Sequence, residues 1–365
     1  MSSDRIVTRA AVLHDVGRPF EIETVELEQP HANEVLVRMK AAGVCHSDWN
    51  LHTGDTAHPM PLVPGHEGSG VVEAVGDGVS TVQVGDHVAL NWAPYCGSCF
   101  YCDMERPALC ATYKKRVWDG LLMDETTRFS LNGQALHHYT AISCFADRTV
   151  VPEKCCVPLK EEVPFTVGAL IGCAVTTGVG AALNSVDLTA RDTVAVFGVG
   201  GVGLSIVMGA RLAGAKSVTA IDISSDRLEA AKRFGANECI QNRTGTGELR
   251  VDYAFDTTGV TSAQEQCFDC IRPGGTIVLV GLPANDATFN IPAARLTRQE
   301  KRIIGSYYGS ANPPRDFPLY AQRFLDGELP LDQFVSKTFS LEQINEAYEQ
   351  MLNGSITRGV ILFDT

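Results

Sequence analysis

Four cysteines fall between positions 96 and 110 with the spacing Cys96-x2-Cys99-x2-Cys102-x7-Cys110. Thiolates this close in sequence can close a tetrahedral shell around zinc, which prefers soft sulfur ligands and a fixed coordination number. A segment wrapped around such a shell keeps little freedom, and Gly97, Ser98 and Pro107 supply the tight turns it needs. Three roles are open to the cluster: a stabilising knot, a redox centre or a catalytic site. Its first three cysteines also copy the start of a bacterial iron–sulfur run. That run continues with x3-Cys-Pro, whereas here seven residues separate Cys102 from Cys110 and no second set follows. Zinc is the better fit.

At 365 residues the chain is long for one domain, so two are expected, each with its own core. A hydrophobic content of 45% is that of an ordinary globular protein. The net charge is −13 and no lysine or arginine run accumulates, which argues against a nucleic-acid or anionic-membrane partner. The start, Met1-Ser-Ser-Asp-Arg5, lacks the apolar core of a secretion signal. The longest apolar stretch, residues 194–215, is broken by Gly198, Gly200, Gly201, Gly203, Gly209 and Gly214, and reads as strand-turn-helix, not as a membrane span. Twelve cysteines without an export signal fit a reducing, cytoplasmic setting where thiols serve metals or cores. A disulfide framework is the weaker alternative.

The first half is β-rich. Residues 35–41 and 70–75 are β-branched runs bounded by Gly and Pro, and repeated turn signals fit a small barrel. From about residue 175 apolar strands (193–197, 217–221, 253–256, 276–280) alternate with helical stretches (204–212, 227–234). That rhythm implies a parallel sheet of βαβ units. It breaks at Gly305, Gly309, Pro313 and Pro314. Helices over 317–325 and 341–353 follow, the second capped by Gly354, and a last strand covers 360–363.

Gly198-Val199-Gly200-Gly201-Val202-Gly203 follows the strand at 194–197 and opens a helix, and Asp222 closes the next strand. Strand, helix and acid together turn a weak motif into a strong one. The first glycines allow a tight turn and close approach to a pyrophosphate; Gly203 lets helix pack on strand, and the helix N-terminus adds partial positive charge. Asp222 is placed to accept hydrogen bonds from ribose hydroxyls and to repel a 2′-phosphate, favouring NAD over NADP. Arg227 is placed to lie along the adenosine ribose; a solvated role is its alternative.

Cys45, His66 and Cys173 stand apart from the four-cysteine run, in the contexts Gly43-Val-Cys45-His46-Ser47-Asp48, Gly65-His66-Glu67 and Gly172-Cys173-Ala-Val-Thr-Thr-Gly178. Two thiolates and an imidazole leave a fourth zinc position open for water or substrate. Spacing alone does not connect them. Taken singly, each cysteine reads as a small buried hydrophobe and His66 as a core histidine.

With these motifs together the chain resembles the zinc-dependent alcohol dehydrogenases of the medium-chain dehydrogenase/reductase superfamily over nearly its whole length. The likeness rests on the two cysteine/histidine sets, the Gly198–Gly203 turn with Asp222, and the tail Arg358-Gly-Val-Ile-Leu362. Thr127-Arg-Phe129 with His137-His138 looks most like the glutathione-dependent formaldehyde dehydrogenase branch and related bacterial enzymes. The resemblance implies an α/β protein: a GroES-like β-barrel catalytic domain (residues 1–174 and 308–365) interrupted by a doubly wound, parallel-sheet Rossmann domain for NAD (175–307), with the active site in the cleft between. It implies two zinc ions per chain. Cys45, His66 and Cys173 would hold the catalytic one, with Glu67 beside the metal and Asp48 orienting His66 through its far ring nitrogen. Cys96, Cys99, Cys102 and Cys110 would hold the structural one. Ser47 matches the hydroxyl that receives the alcohol proton. His46 and Arg358 fall where the family binds the cofactor pyrophosphate, Val202 and Leu282 among its other cofactor contacts, and Trp92, Tyr139 and Leu282 at pocket walls. Small alcohols or aldehydes are the implied substrates, and a homodimer or homotetramer the implied assembly.

The implied reaction is reversible hydride transfer between a primary aliphatic or aromatic alcohol and NAD, zinc lowering the pKa of the alcohol. Two same-fold alternatives are a thiol-adduct formaldehyde dehydrogenase and an enzyme with tightly held nicotinamide. A non-catalytic scaffold protein is the alternative of another class. Asn50 stands where well-known members carry the last histidine of the proton relay, so the relay is expected to end in solvent and His52 to be dispensable. Lys114 falls where the formaldehyde branch places an arginine for glutathione, and lacks the bidentate fork. Cys144, Cys155, Cys156, Cys239, Cys267 and Cys270 read as core thiols, His137 and His138 as structural. His14, His31, His58 and His87 show no companion ligands in sequence.

Overall fold

A computed structural model describes residues 5–242, 245–284 and 286–364. Residues 1–4, where the absence of a secretion signal was expected, lie outside the described residues. The chain divides into two compact units: Met1–Cys173 with Asn312–Thr365, and Ala174–Ala311.

The hub of the first unit is the ten-residue strand Glu34–Gly43. Val35, Val37, Met39, Ala41 and Ala42 are all fully buried, the near-continuous apolar run of a strand covered on both faces. One edge pairs antiparallel with Gly68–Val75. The other edge takes Arg148–Pro152 near its start and Gly359–Leu362 near its end. The last described strand therefore joins the sheet built on this early strand, and Lys337–Phe339 pairs on its far side as the edge. A five-stranded sheet runs Ile6–Val12, Glu21–Leu27, Phe129–Leu131, Gln134–His138, Leu62–Val63. Val35, Val37 and Met39 meet Leu90, Phe145 and Tyr348 in the main core of this unit.

The second unit is a six-stranded sheet in which all neighbours pair parallel. Its order is Glu238–Gln241, Ser217–Asp222, Thr193–Phe197, Val251–Asp256, Ile271–Leu279, Arg302–Gly305. The winding reverses at Thr193–Phe197, which makes the sheet doubly wound and puts the ligand crevice at the C-terminal end of that strand. The glycine turn sits there.

Three local expectations shift. The first late helix spans Pro313–Leu325, not 317–325, because Pro at the first helical position lacks only an N–H that would have no intrahelical partner. The last begins as the 3-10 turn Leu341–Gln343, closed by a Ser340–Gln343 capping box, before Ile344–Leu352. Its C-cap is Asn353, and Gly354 follows in the left-handed region at φ 78°. Residues 194–215 form strand and helix as expected. One helix among the described residues, Phe165–Leu183, is long and apolar enough to cross a membrane, and 83% of its apolar window is buried inside the molecule.

Candidate active site

Cys45 precedes the helix His46–Thr53, immediately after the hub strand. His66 and Glu67 occupy the irregular segment before Gly68–Val75, and Cys173 lies in the π-helical turn Ile171–Val175. Ligand atoms of Cys45, His66, Glu67 and Cys173 all come within 4.8 Å of one another. Glu67 is fully buried and His66 and Cys173 nearly so. The carboxylate fits only because position 43 is glycine: a Cβ there would lie 1.9 Å from Glu67 Oε2.

Asp48 Oδ1 accepts the Gly65 N–H at 2.9 Å, and Oδ2 stands 2.9 Å from His66 Nδ1. The latter is an ion-pair contact, not a well-aligned hydrogen bond. His66 Nε2 is buried with no hydrogen-bond partner. The Cys173 hydrogen bond holds the Cys45 thiol well below its ordinary value against burial, with His66 assisting. Cys173, on the other side of that bond and also buried, is pushed well above. Burial raises Glu67 to about 7 despite the Arg358 guanidinium, and raises Asp48 against the pull of His66. Cys173, Glu67 and Asp48, crowded around an orphaned imidazole nitrogen in a dry site, resist charging until a cation joins them, while Cys45 is already poised as a thiolate. The donor set fits zinc, with sulfur and imidazole as its usual ligands.

Ser47 Oγ lies 3.8 Å from Cys45 Sγ, and the Tyr139 hydroxyl donates to Ser47 O at 3.4 Å. Tyr139 and Trp92 stand edge-on to the His66 ring at 5.6 and 6.5 Å. Two of the three expected pocket walls thus meet beside the metal donors. Leu282 belongs to the other unit and is 80% exposed. His46 is exposed at the helix start. Arg358 is almost fully buried and donates to Glu67, a pairing across the length of the chain that sequence reasoning missed. Trp118 and His58, which flank Tyr139 at 6.4 and 5.5 Å, carried no sequence signal either.

In the four-cysteine lobe the Sγ separations are 3.9 Å for Cys96–Cys102, 3.6 Å for Cys99–Cys102 and 3.8 Å for Cys99–Cys110. A tetrahedron of Zn–S bonds of about 2.3 Å has edges of about 3.8 Å. The lobe is preshaped for one ion with four sulfurs, leaving no position for substrate. Hydrogen bonds from the Thr112 hydroxyl and the Ser98 N–H bring Cys96 down to about 5, while burial takes Cys102 up to about 12.

All twelve cysteines are free. Cys144, Cys155, Cys156, Cys267 and Cys270 are buried and their thiols pushed up by it, as core thiols should be. Cys239, expected in the core with them, is only half-buried. A further expectation fails. His14 does have companions: its ring comes within 4.8 Å of Glu21 and Glu23. Glu21 and Glu23 are two apart on one strand and so share a face, which linear spacing from His14 did not reveal. The group is exposed or half-exposed.

In the second unit Gly198 adopts φ +80°, and a Cβ on Gly203 would lie 1.9 Å from Gly198 O. A Cβ on Gly200 would meet nothing within 4 Å, so the backbone there is open to a ligand. Gly200 caps the helix Gly201–Leu212, with Val202 in its first turn. Asp222 Oδ2 accepts the Val199 N–H and Oδ1 the Ser224 N–H, both at 2.9 Å. The acid braces the turn and each oxygen keeps a lone pair for a ribose hydroxyl. Arg227 is partly exposed, 4.0 Å from Asp222. Turn, helix end and acid fit a dinucleotide.

Residues 31–161 match the alcohol dehydrogenase GroES-like domain and residues 201–326 the zinc-binding dehydrogenase domain. The chain is 37% identical to the NDMA-dependent alcohol dehydrogenase of Amycolatopsis methanolica, over 97% of this chain and 98% of that protein. It is 36% identical to the S-(hydroxymethyl)glutathione dehydrogenase of Synechocystis sp., over 97% and 99%. The crystal structure of benzyl alcohol dehydrogenase from Acinetobacter calcoaceticus superposes with a TM-score of 0.93 at 31% identity, covering 98% of this chain and 99% of that one. Likeness along both units, at this identity, makes the chain an oxidoreductase of the zinc-binding alcohol dehydrogenase family in the medium-chain dehydrogenase/reductase superfamily, built from a GroES-like and a Rossmann-like domain.

Proposed function

We propose that the protein interconverts a primary aliphatic or aromatic alcohol and its aldehyde with NAD, using zinc held by Cys45, His66 and Cys173. The observation that carries this reading is the orphaned His66 Nε2 facing two thiols in a buried, acid-rich site. When bound there, zinc supplies a Lewis acid that brings the pKa of an alcohol toward neutrality. Asp48 holds the imidazole ring and keeps it basic. Ser47, beside Cys45 and tied through its carbonyl to Tyr139, takes the alcohol proton at Oγ. Asn50 carries no base, so the proton leaves to water. Trp92 and Tyr139 present flat apolar walls and exclude water from the reacting carbon. Arg358 balances the Glu67 carboxylate and, with His46, is available to a pyrophosphate.

A second zinc in the four-sulfur lobe is structural. The catalytic parts fall in residues 1–174 and 308–365, and the cofactor parts (Gly198, Gly200, Gly201, Val202, Gly203, Asp222, Arg227, Leu282) in 175–307. Asp222 favours NAD by opposing a 2′-phosphate. Free thiols throughout fit a cytoplasmic enzyme, and the edge strand Arg302–Gly305 is available to join Rossmann-like domains into a homodimer or homotetramer.

A second reading, oxidation of a glutathione–formaldehyde adduct, is favoured by the 36% identity to the Synechocystis dehydrogenase. Lys114 weakens it, since lysine recognises a carboxylate as a point charge only. One experiment separates them: zinc analysis, then ethanol, benzyl alcohol, a secondary alcohol and S-hydroxymethylglutathione with NAD and NADP, following reduced-cofactor absorbance. About two zincs per chain and turnover of primary alcohols with NAD is the expected result. Preference for the thiol adduct selects the second reading, and equal rates with NADP overturn the assignment of Asp222.

A further inference from the structure

Tyr139 is enclosed by three rings set edge-on to it: His58 at 5.5 Å, His66 at 5.6 Å and Trp118 at 6.4 Å. Its hydroxyl reaches Ser47 O on the remaining side. Of these neighbours Trp118 is the one tied to the four-cysteine lobe. It is the last residue of the helix Ala111–Trp118, whose N-cap is Cys110, the fourth thiol of the zinc lobe. Eight residues of helix span about 12 Å. Tyr113 and Val117, one turn apart, pack this helix on the main core of the first unit.

Immediately beyond Trp118 the chain turns at Gly120, in the left-handed region at φ +74°. A Cβ on Gly120 would stand 2.8 Å from His137 Cβ and 3.0 Å from His58 Cε1. Gly120 O also accepts the His138 N–H at 2.9 Å, and Arg116 clasps Glu125 across the following loop at 2.8 Å. The indole is therefore fixed from behind by the four-sulfur lobe and from ahead by a turn pressed onto the strand that leads into Tyr139. An aromatic ring held edge-on by several others keeps one orientation, and losing one supporting ring frees it to tilt.

We propose that Trp118 is a positioning residue for the Tyr139 wall, and that through it the site favours aromatic over short aliphatic alcohols; this rests on the alcohol dehydrogenase reading above. A benzylic ring lies along the wall and needs it flat. Ethanol covers too little of the wall to register its tilt.

The test compares wild type, Trp118→Ala and Trp118→Phe as holoenzymes, with kcat and KM for benzyl alcohol and ethanol. Trp118→Ala is expected to raise KM for benzyl alcohol about five- to tenfold, the scale of one aromatic pair, with kcat within about twofold. Ethanol KM should stay within about twofold, and Trp118→Phe should restore most of the loss. An equal KM rise for both alcohols, a kcat loss in its place, or no rescue by phenylalanine overturns the proposal. Calorimetric binding of benzamide, an aromatic that is not oxidised, in the presence of reduced cofactor separates this failure from that of the alcohol reading. Binding weakened about five- to tenfold in Trp118→Ala alone supports the positioning role even if neither alcohol is turned over. Equal binding by all three proteins, or none by wild type, overturns it. Unchanged zinc content across the three shows that the variants are folded.

Discussion

Asp48 Oδ2 stands 2.9 Å from His66 Nδ1, and neither side chain is appreciably exposed. The contact turns the other ring nitrogen toward Cys45 and Cys173 and, by charge, makes it a better donor to a cation. Asp48→Asn keeps the shape and the Gly65 contact but removes the charge. The zinc affinity of the Cys45/His66/Cys173 site is expected to fall about 10- to 100-fold, so that competition with a chelator strips about one zinc per chain and leaves the four-sulfur lobe loaded. Two zincs released together, at the wild-type chelator concentration, would contradict this account.

His52 stacks on Trp49 with ring centroids 4.0 Å apart and an interplanar angle of 15°. Its Nδ1 is buried without a partner, and the ring lines a groove with Pro19, Asn345 and Leu352. On the helix His46–Thr53, position 50 lies one turn from Ser47 and shares its face, while position 52 is turned well away. The histidine close in sequence is thus committed to packing, and the residue on the relay side is an amide. His52→Gln is expected to change turnover at neutral pH by less than about tenfold, below the usual worth of a general base. A larger loss, with KM unchanged, would place His52 in the proton path.

What could be read from the sequence followed the distance over which each feature is built. The glycine turn and the four-sulfur lobe are local, so their residues, spacing and chemistry were visible together. Cys45, His66 and Cys173 are joined only by strand pairing between Glu34–Gly43 and Gly68–Val75 and by a π-helical turn, and it took family resemblance to connect them. The Arg358–Glu67 pair and the seating of Trp118 beside Tyr139 depend on packing between segments far apart in the chain, where no periodicity or spacing points from one to the other. The prolines at 313 and 314 read as part of the break ahead of the helix because their effect depends on position: they start the helix that they would have interrupted further in.

His138 gives the fold a dependence on pH. Its ring is fully buried, and its Nε2 accepts the Arg128 N–H at 3.1 Å, which requires a free lone pair on that nitrogen. Burial, reinforced by the charge of Arg128, lowers it from an ordinary 6.5 to about 3. Arg128 cannot move aside, since its guanidinium is tied to both oxygens of Glu34 at 2.7 and 2.8 Å. Between about pH 3 and pH 6.5 the unfolded chain therefore binds a proton that the folded chain refuses, and unfolding becomes more favourable as pH falls. The contribution reaches at most about 1.4 kcal/mol per pH unit in that window and vanishes above it. Urea unfolding at pH 7.5 and pH 5.5 should show a steeper loss of stability in wild type than in His138→Gln, whose amide oxygen can still accept from Arg128 and does not titrate. Parallel losses in the two proteins would mean that His138 is already protonated in the folded state, and that the Arg128 contact is not made through Nε2.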